Sequence, residues 1–410
     1  MKRVDIAIIG GGASGLFLAN ALKAKQNVVL FERGDRLGRK LSATGNGQGN
    51  ITNLTASQTA YFSLESAEIS RVGKMIEKYD ENTLIAFFQS LGVLLQADER
   101  GRVYPAGRQA SSLTDALRFA IAESGIQVEL STKIVDIQPM KEGFLLRAEK
   151  VNEGGMYTFT AKKVILCAGG KSAKNFGTDG SAYALAERLG HSCTKLYPSL
   201  VQLKTDTAYT KTLKGIRVND GGLTAKLPNG ENVYMEGDII FTDYGVSGDA
   251  VFRISSFVAD KLDGGKVTLS IDLLPSVSKE KLLSALTEKK KAFPALPESE
   301  LLCGILNNQV GRAVWKRYGE NGLSAVCDGI KAFELPVTGS LGFDYAQVTK
   351  GGIPLAEVDE TLQSRNSTGL YFAGEILDVD GECGGFNLQW AYTSAMVCAQ
   401  AISEKSGGQV

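Results

Sequence analysis

In 410 residues the chain has one histidine, His191. That excludes a histidine-rich metal site and leaves a histidine-based nucleophile triad without a supporting motif. Cysteine is sparse as well. Cys167, Cys193, Cys303, Cys327, Cys383 and Cys398 are scattered and never form a CxxC pair. They read as reduced, mostly buried small residues of a cytoplasmic protein. Charge of one sign is missing, since Lys plus Arg and Asp plus Glu each total 45. No global field draws such a chain to nucleic acid or to an anionic membrane, and neither is expected as a partner. No apolar run approaches a bilayer span. Lys2-Arg3 precede apolar Ile6–Ile9, but glycines end that run too early for a signal peptide.

Glycine, by contrast, is plentiful and clustered. Val4–Ile9 is a nearly continuous apolar run, as for a parallel strand buried on both faces. Gly10-Gly11-Gly12-Ala13-Ser14-Gly15 follows it. Leu16, Leu18, Ala19 and Leu22 then recur at helical spacing, and Val28–Phe31 forms a second strand closed by Glu32. In this strand–turn–helix–strand setting, Gly10-x-Gly12-x-x-Gly15 is the dinucleotide-binding fingerprint. Its glycines bring the backbone to a pyrophosphate at the helix N-terminus, and Glu32 is placed to accept from a ribose.

The fingerprint alone does not separate NAD from FAD. Three further features point to FAD. The glycine-rich stretch from Glu32 to Gly49 far exceeds the usual strand–helix connection of about 2–6 residues. It can wrap a larger cofactor, with Arg39, Lys40 and Asn46 near phosphate or flavin. Cys167-Ala168-Gly169-Gly170 ends another buried strand, Val164–Leu166, with a close backbone approach. Ala373-Gly374-Glu375, Asp380 and Gly384-Gly385 then precede a final helix, expected over Phe386–Ser403, whose N-terminus suits the anionic edge of a reduced flavin.

Between these ends the pattern changes. From about Tyr197-Pro198 short strands alternate with turns, including an Asn229-Gly230 hairpin signal. Helices are expected over Lys279–Phe293 and Ser299–Tyr318. The expected architecture is α/β: a doubly wound, Rossmann-like FAD-binding domain (residues 1–195 and 342–410) interrupted by an inserted domain (196–341), strand-rich and then helical.

The chain resembles the BaiN-like, aminoacetone-oxidase-family bacterial NAD(P)/FAD-dependent oxidoreductases over nearly its whole length. The resemblance rests on Gly38-Arg39-Lys40-Leu41-Ser42-Ala43-Thr44-Gly45-Asn46-Gly47, on Gly101-Arg102-Val103-Tyr104-Pro105, on Phe241–Gly248, and above all on Gly374–Asn387 with Leu388-Gln389-Trp390-Ala391. It implies FAD contacts at Gly10, Gly12, Ala13, Ser14, Gly15, Glu32, Arg33, Lys40, Thr44, Val135, Ala168, Gly169, Gly374, Glu375, Asp380, Gly385 and Asn387. Two departures stand out: Gln48-Gly49 where the family has Arg-Cys, and Gly248-Asp249 where it has Gly-Pro.

No second GxGxxG offers NAD(P)H its own domain, so NADH or NADPH is expected as a transient reductant. The expected activity passes hydride between flavin and a small organic substrate. An oxidase of a small amine using O2 and a flavin-binding sensor without turnover are the alternatives. No metal is expected. Tyr104 and Arg102 sit in a hairpin whose position can face the flavin, which makes Tyr104 a candidate proton donor against simple packing. Cys383 beside the glycine pair reads as a redox candidate or a packing residue, His191 as a helix-end residue, and Trp390 as core.

Overall fold

A computed structural model describes residues 2–22, 27–151 and 154–407, the side chains at 58, 66 and 405–407 excepted. The chain divides into two compact units. One takes the chain up to Tyr197 and again from Val348; the other is Pro198–Gln347.

In the first unit, β1 (Lys2–Ile9) leads into α1 (Ala13–Ala21), and β2 (Val28–Phe31) lies parallel to β1 with Ile9 opposite Phe31. Every residue of α1 from Ser14 to Asn20 is buried, so this helix has no polar face, as its apolar sequence requires. Next come β3 (Thr52–Asn53), β4 (Tyr61–Phe62), α2 (Ile69–Lys78), α3 (Glu81–Ser90), β5 (Leu95–Ala97) and β6 (Arg102–Pro105). Asp80 starts α3 by accepting from Thr83 N at 2.9 Å. After α4 (Ala110–Ser124), β7 (Gln127–Glu129) pairs parallel with β2.

An antiparallel meander follows: β8 (Thr132–Met140), β9 (Gly143–Lys150) and β10 (Met156–Leu166). The strand expected over Val164–Leu166 is longer, because β10 pairs with β1 from Phe159 to Leu166. Beyond it lie α5 (Ser181–Arg188) and β11 (Tyr197–Ser199).

The second unit holds β12 (Leu203–Thr205), β13 (Arg217–Lys226), β14 (Asn232–Phe241), β15 (Gly245–Ser247) and α6 (Asp249–Val258). Then come β16 (Thr268–Asp272), α7 (Lys279–Ala292), α8 (Asn308–Tyr318), α9 (Gly322–Lys331) and β17 (Phe333–Ser340). Its strands close into a barrel in the order β12-β15-β14-β13-β16-β17 around an apolar core of its own. The Asn229-Gly230 turn joins β13 to β14. One expectation fails here. The helix predicted from Ser299 starts only at Asn308, because Asn307 caps it by accepting from Gln309 N at 3.0 Å.

The chain then returns to the first unit with β18 (Val348–Lys350), β19 (Leu370–Phe372), β20 (Asp380–Gly381) and α10 (Phe386–Gly407). β19 runs parallel to β10, Val164 opposite Leu370. The parallel strands therefore lie in the order β7-β2-β1-β10-β19, with α1 packed on α10 and α4. This is a Rossmann-like α/β fold of the FAD-binding type. Successive strands are added on opposite sides of β1, so the ligand crevice belongs at the carboxyl ends of β1 and β10.

Candidate active site

β1, β10 and β19 all end at this edge, and each runs into a glycine turn: Gly10–Gly15, Cys167–Gly170 and Ala373–Glu375. The backbone carries the register past each strand, with Cys167 N donating to Ile9 O (2.8 Å) and Ala373 N to Leu166 O (3.0 Å). Gly10 N donates to Phe31 O at 2.9 Å. Within the first turn two glycines do opposite things. A β-carbon on Gly15 would lie 1.9 Å from Gly10 O, so this position lets α1 press against its own turn. A β-carbon on Gly12 would meet no atom within 4 Å. Gly12 caps α1, so unbonded helix amides open onto that space. Ala13 borders it half-buried, while Ser14 is buried.

Glu32 is fixed beside this opening. Its Oε2 accepts from Gly11 N at 2.8 Å and its Oε1 from Gly34 N at 2.6 Å. Thr132 N donates to Glu32 O at 2.8 Å, bringing the start of β8 alongside. Val135 is the residue bulged out of the β8–β9 ladder between Ile134 and Asp136, and its carbonyl accepts from Arg188 Nη2 at 2.9 Å. Arg33 is committed elsewhere: its Nη1 lies 2.7 Å from Asp179 Oδ2. Burial raises the Asp179 carboxyl, but the hydrogen bonds from Arg33 and Ser181 outweigh it and hold the group at about 2.

Lys40 and Glu375, far apart in sequence, form an ion pair at 2.7 Å. Glu375 Oε1 also accepts from Thr349 N at 3.0 Å. Thr349 in turn accepts from Lys171 N (2.8 Å) and Ser172 N (3.0 Å), tying the turn after β10 to that after β19. Ala168 and Gly169 lie half-buried in the first of these. Gly374 N donates to Ser394 Oγ (2.9 Å), and Trp390 Nε1 donates to Gly374 O (3.2 Å), so buried Trp390 fixes this turn as well as filling core. Thr44 spends its hydroxyl within its own turn, on Leu41 O at 2.8 Å.

The last predicted residues sit at a third place, around β3. Asp380 is buried in β20, paired with Phe62 of β4. A β-carbon on Gly385 would lie 2.4 Å from the carbonyl carbon and oxygen of Thr52, and φ there is +106°. Asn387 is used locally: Oδ1 accepts from Gly381 N (2.9 Å), and Nδ2 donates to Gly381 O (2.8 Å) and Glu382 O (3.2 Å). Asn53 Nδ2 donates to Gly384 O at 3.3 Å, fixing the glycine pair to β3. Thr349 and Asn53 escaped the sequence reading, since a lone threonine or asparagine carries no motif.

His191 follows the end of α5, as expected, and its buried ring is a structural clamp. Nδ1 lies 2.7 Å from Glu357 Oε2 and Nε2 lies 2.8 Å from Ser364 Oγ. Ser364 Oγ is also held by Asn366 N (3.0 Å) and Ser367 N (2.8 Å), a turn arrangement and not an exposed nucleophile. None of the six cysteines is in a disulfide. Burial pushes the Cys167 thiol up to about 12, so it stays a thiol under Gly10.

A family model described as the HI0933-like protein Rossmann domain matches residues 4–401. The chain is 32% identical to the 3-dehydro-bile acid delta(4,6)-reductase of Clostridium scindens, covering 98% of this chain and 99% of that one. It is 28% identical to the ribosomal RNA dihydrouridine synthase of Escherichia coli over 98% of each. Among solved structures, a flavocytochrome c3 fumarate reductase in its open conformation shares the fold (TM-score 0.53, 15% identity, 98% of this chain and 78% of that one). Among the described residues no helix is long and apolar enough to cross a membrane. Fold, edge geometry and whole-length similarity agree: the chain belongs to the HI0933-like Rossmann family and is an FAD-dependent oxidoreductase.

Proposed function

We propose that this enzyme reduces a carbon–carbon double bond conjugated to a carbonyl in a small organic substrate, with NADH or NADPH supplying the electrons. FAD carries the hydride chemistry when bound, and the protein orients the substrate and excludes water around it. The observation that carries the reading is the open space at Gly12 beside the fixed Glu32 carboxylate. It suits a pyrophosphate at the amides of α1 with a ribose on Glu32. Gly10, Ala13, Ser14 and Gly15 shape that turn. Arg33, Lys40, Thr44, Val135, Ala168, Gly169, Gly374, Glu375, Asp380, Gly385 and Asn387 frame the cofactor, several of them through backbone groups, since their side chains are already engaged.

The reaction class is supported by the relatives' names. One describes loss of double bonds in a 3-oxo bile acid, the other saturation of a uracil ring, and both bonds are conjugated to a carbonyl. The second name also favours a further reading in which the substrate is a base within RNA. The balanced charge of this chain argues for the free small molecule. The residues up to 195 and from 342 on act as the FAD domain and 196–341 as the substrate-side insertion, in the cytoplasm.

Anaerobic mixing of the purified yellow protein with NADH or NADPH tests the reading. Bleaching of the flavin band, followed by its return on adding 4-cholesten-3-one or 2-cyclohexenone, is the expected result. A flavin that neither nicotinamide bleaches, yet a small amine does, would move the enzyme to the oxidase class.

A further inference from the structure

The turn Gly384-Gly385 is walled by β3 and β6, and β6 carries Tyr104. Tyr104 lies on β6 two residues from Arg102, so both point to the same face. Gly384 lies against that face, since a β-carbon on it would be 3.8 Å from Arg102 Cδ and 3.7 Å from Asn53 Nδ2. Tyr104 as a residue is 6% exposed, and no described protein group hydrogen-bonds its hydroxyl. That hydroxyl is not among the fully enclosed polar atoms that lack a partner, so it reaches space that a ligand can fill.

The guanidinium of Arg108 lies 3.9 Å from the centroid of that ring, while Arg102 lies at 6.0 Å. The two cations are not equivalent. Arg102 is neutralised by Asp98 at 2.8 Å. No carboxylate pairs with Arg108 among the described residues; its Nη1 reaches Gln48 Oε1 at 3.4 Å instead. Gln48 belongs to one of the two places where this chain departs from the family it resembles. Arg108 also holds φ at +49°, a conformation that costs a non-glycine residue energy and is kept where something else repays it.

We infer that Tyr104 gives the substrate its proton, with Arg108 as the positioning residue stacked on its ring. This rests on the proposed reduction of a conjugated carbonyl. Bound FAD, once reduced, would supply hydride to the β-carbon while the electron pair of the double bond moves toward the carbonyl oxygen. The α-carbon then takes the proton of the Tyr104 hydroxyl, and the phenolate is refilled from water. Electrons are replaced by NAD(P)H. Arg108 offsets the charge left on the phenolate. Burial raises the phenol above its ordinary value, Arg102 and Arg108 oppose the rise, and Asp98 and Cys383 add to it, so the phenol holds its proton through neutral pH.

The test uses the holoenzyme and its Tyr104→Phe and Arg108→Gln variants, each first shown to carry FAD as the wild type does. One arm needs no substrate: time-resolved flavin emission. A phenol against the flavin quenches it by electron transfer, so the shortest-lived component should lengthen in Tyr104→Phe. The second arm mixes photoreduced enzyme with 2-cyclohexenone or 4-cholesten-3-one without oxygen. Tyr104→Phe should slow flavin reoxidation by about 100-fold or more, and Arg108→Gln by less. Wild type should lose rate at alkaline pH as the phenol ionises, and Tyr104→Phe should lack that limb. Unchanged emission decay in Tyr104→Phe, or equal reoxidation rates, overturns the assignment. If the enones fail to reoxidise even the wild type, the proposed reaction falls, and the emission arm still decides whether Tyr104 faces the flavin.

Discussion

At the start of α1, a β-carbon on Gly12 would meet nothing within 4 Å; at the start of α10, one on Gly385 would lie 2.4 Å from Thr52. Both are glycine turns before a helix, and in sequence they look like two halves of one ligand site. The first keeps space free for something that is not protein. The second removes a side chain so that α10 can dock on β3. On the proposed reading both serve one cofactor site, and they should fail in different ways when altered.

The largest effects should come from the packed positions. Gly385→Ala must fit a methyl into the Thr52 carbonyl at φ +106°, and Gly15→Ala must fit one 1.9 Å from Gly10 O. Each should cost about 3 kcal/mol or more. Soluble yield and melting temperature measure this, and a variant that melts like wild type would refute the docking role.

Gly12→Ala breaks the comparison from the other side. The apoprotein should melt as wild type does, within about 0.5 kcal/mol. FAD affinity, read by titrating apoprotein, should fall about tenfold or more, or about 1.4 kcal/mol. Glu32→Gln comes next. It weakens the bonds to Gly11 N and Gly34 N and the ribose acceptor together, so affinity should fall about tenfold with a modest loss of stability. Unchanged FAD retention there would mean that the ribose lies elsewhere.

The smallest effect concerns pH. Asp179 has a depressed folded-state value, about 2 against an ordinary 3.8. Its contribution is therefore complete above pH 3.8 and lost as pH falls through about 2. Removing the partner by Arg33→Gln should raise the Asp179 carboxyl toward 3.8, which carboxyl-carbon NMR follows. A titration unmoved by that change would show that the pair does not set it.

Local pattern carried much of this fold. β1, α1 and β2 were legible because a buried parallel strand and an all-apolar helix leave continuous apolar runs around the glycines. The start of α8 was not, because Pro297 resembles a helix entry while Asn307 supplies the cap. Closure of the barrel between Leu203 and Ser340 was not legible either, since such pairing has no local signal. In the site, the glycines and Glu32 could be named from spacing. The Lys40–Glu375 pair and the Asn387 clamp could not, because what a polar side chain bonds to is decided by its neighbours in space.

The central claim is that the cofactor lies against Gly12 and not merely somewhere in the fold. FAD binding and thermal melting measured side by side on wild type and Gly12→Ala test it most directly. The account predicts equimolar FAD on wild type and an apoprotein of unchanged melting temperature that binds FAD far more weakly. Equal FAD affinity in the two proteins would contradict it.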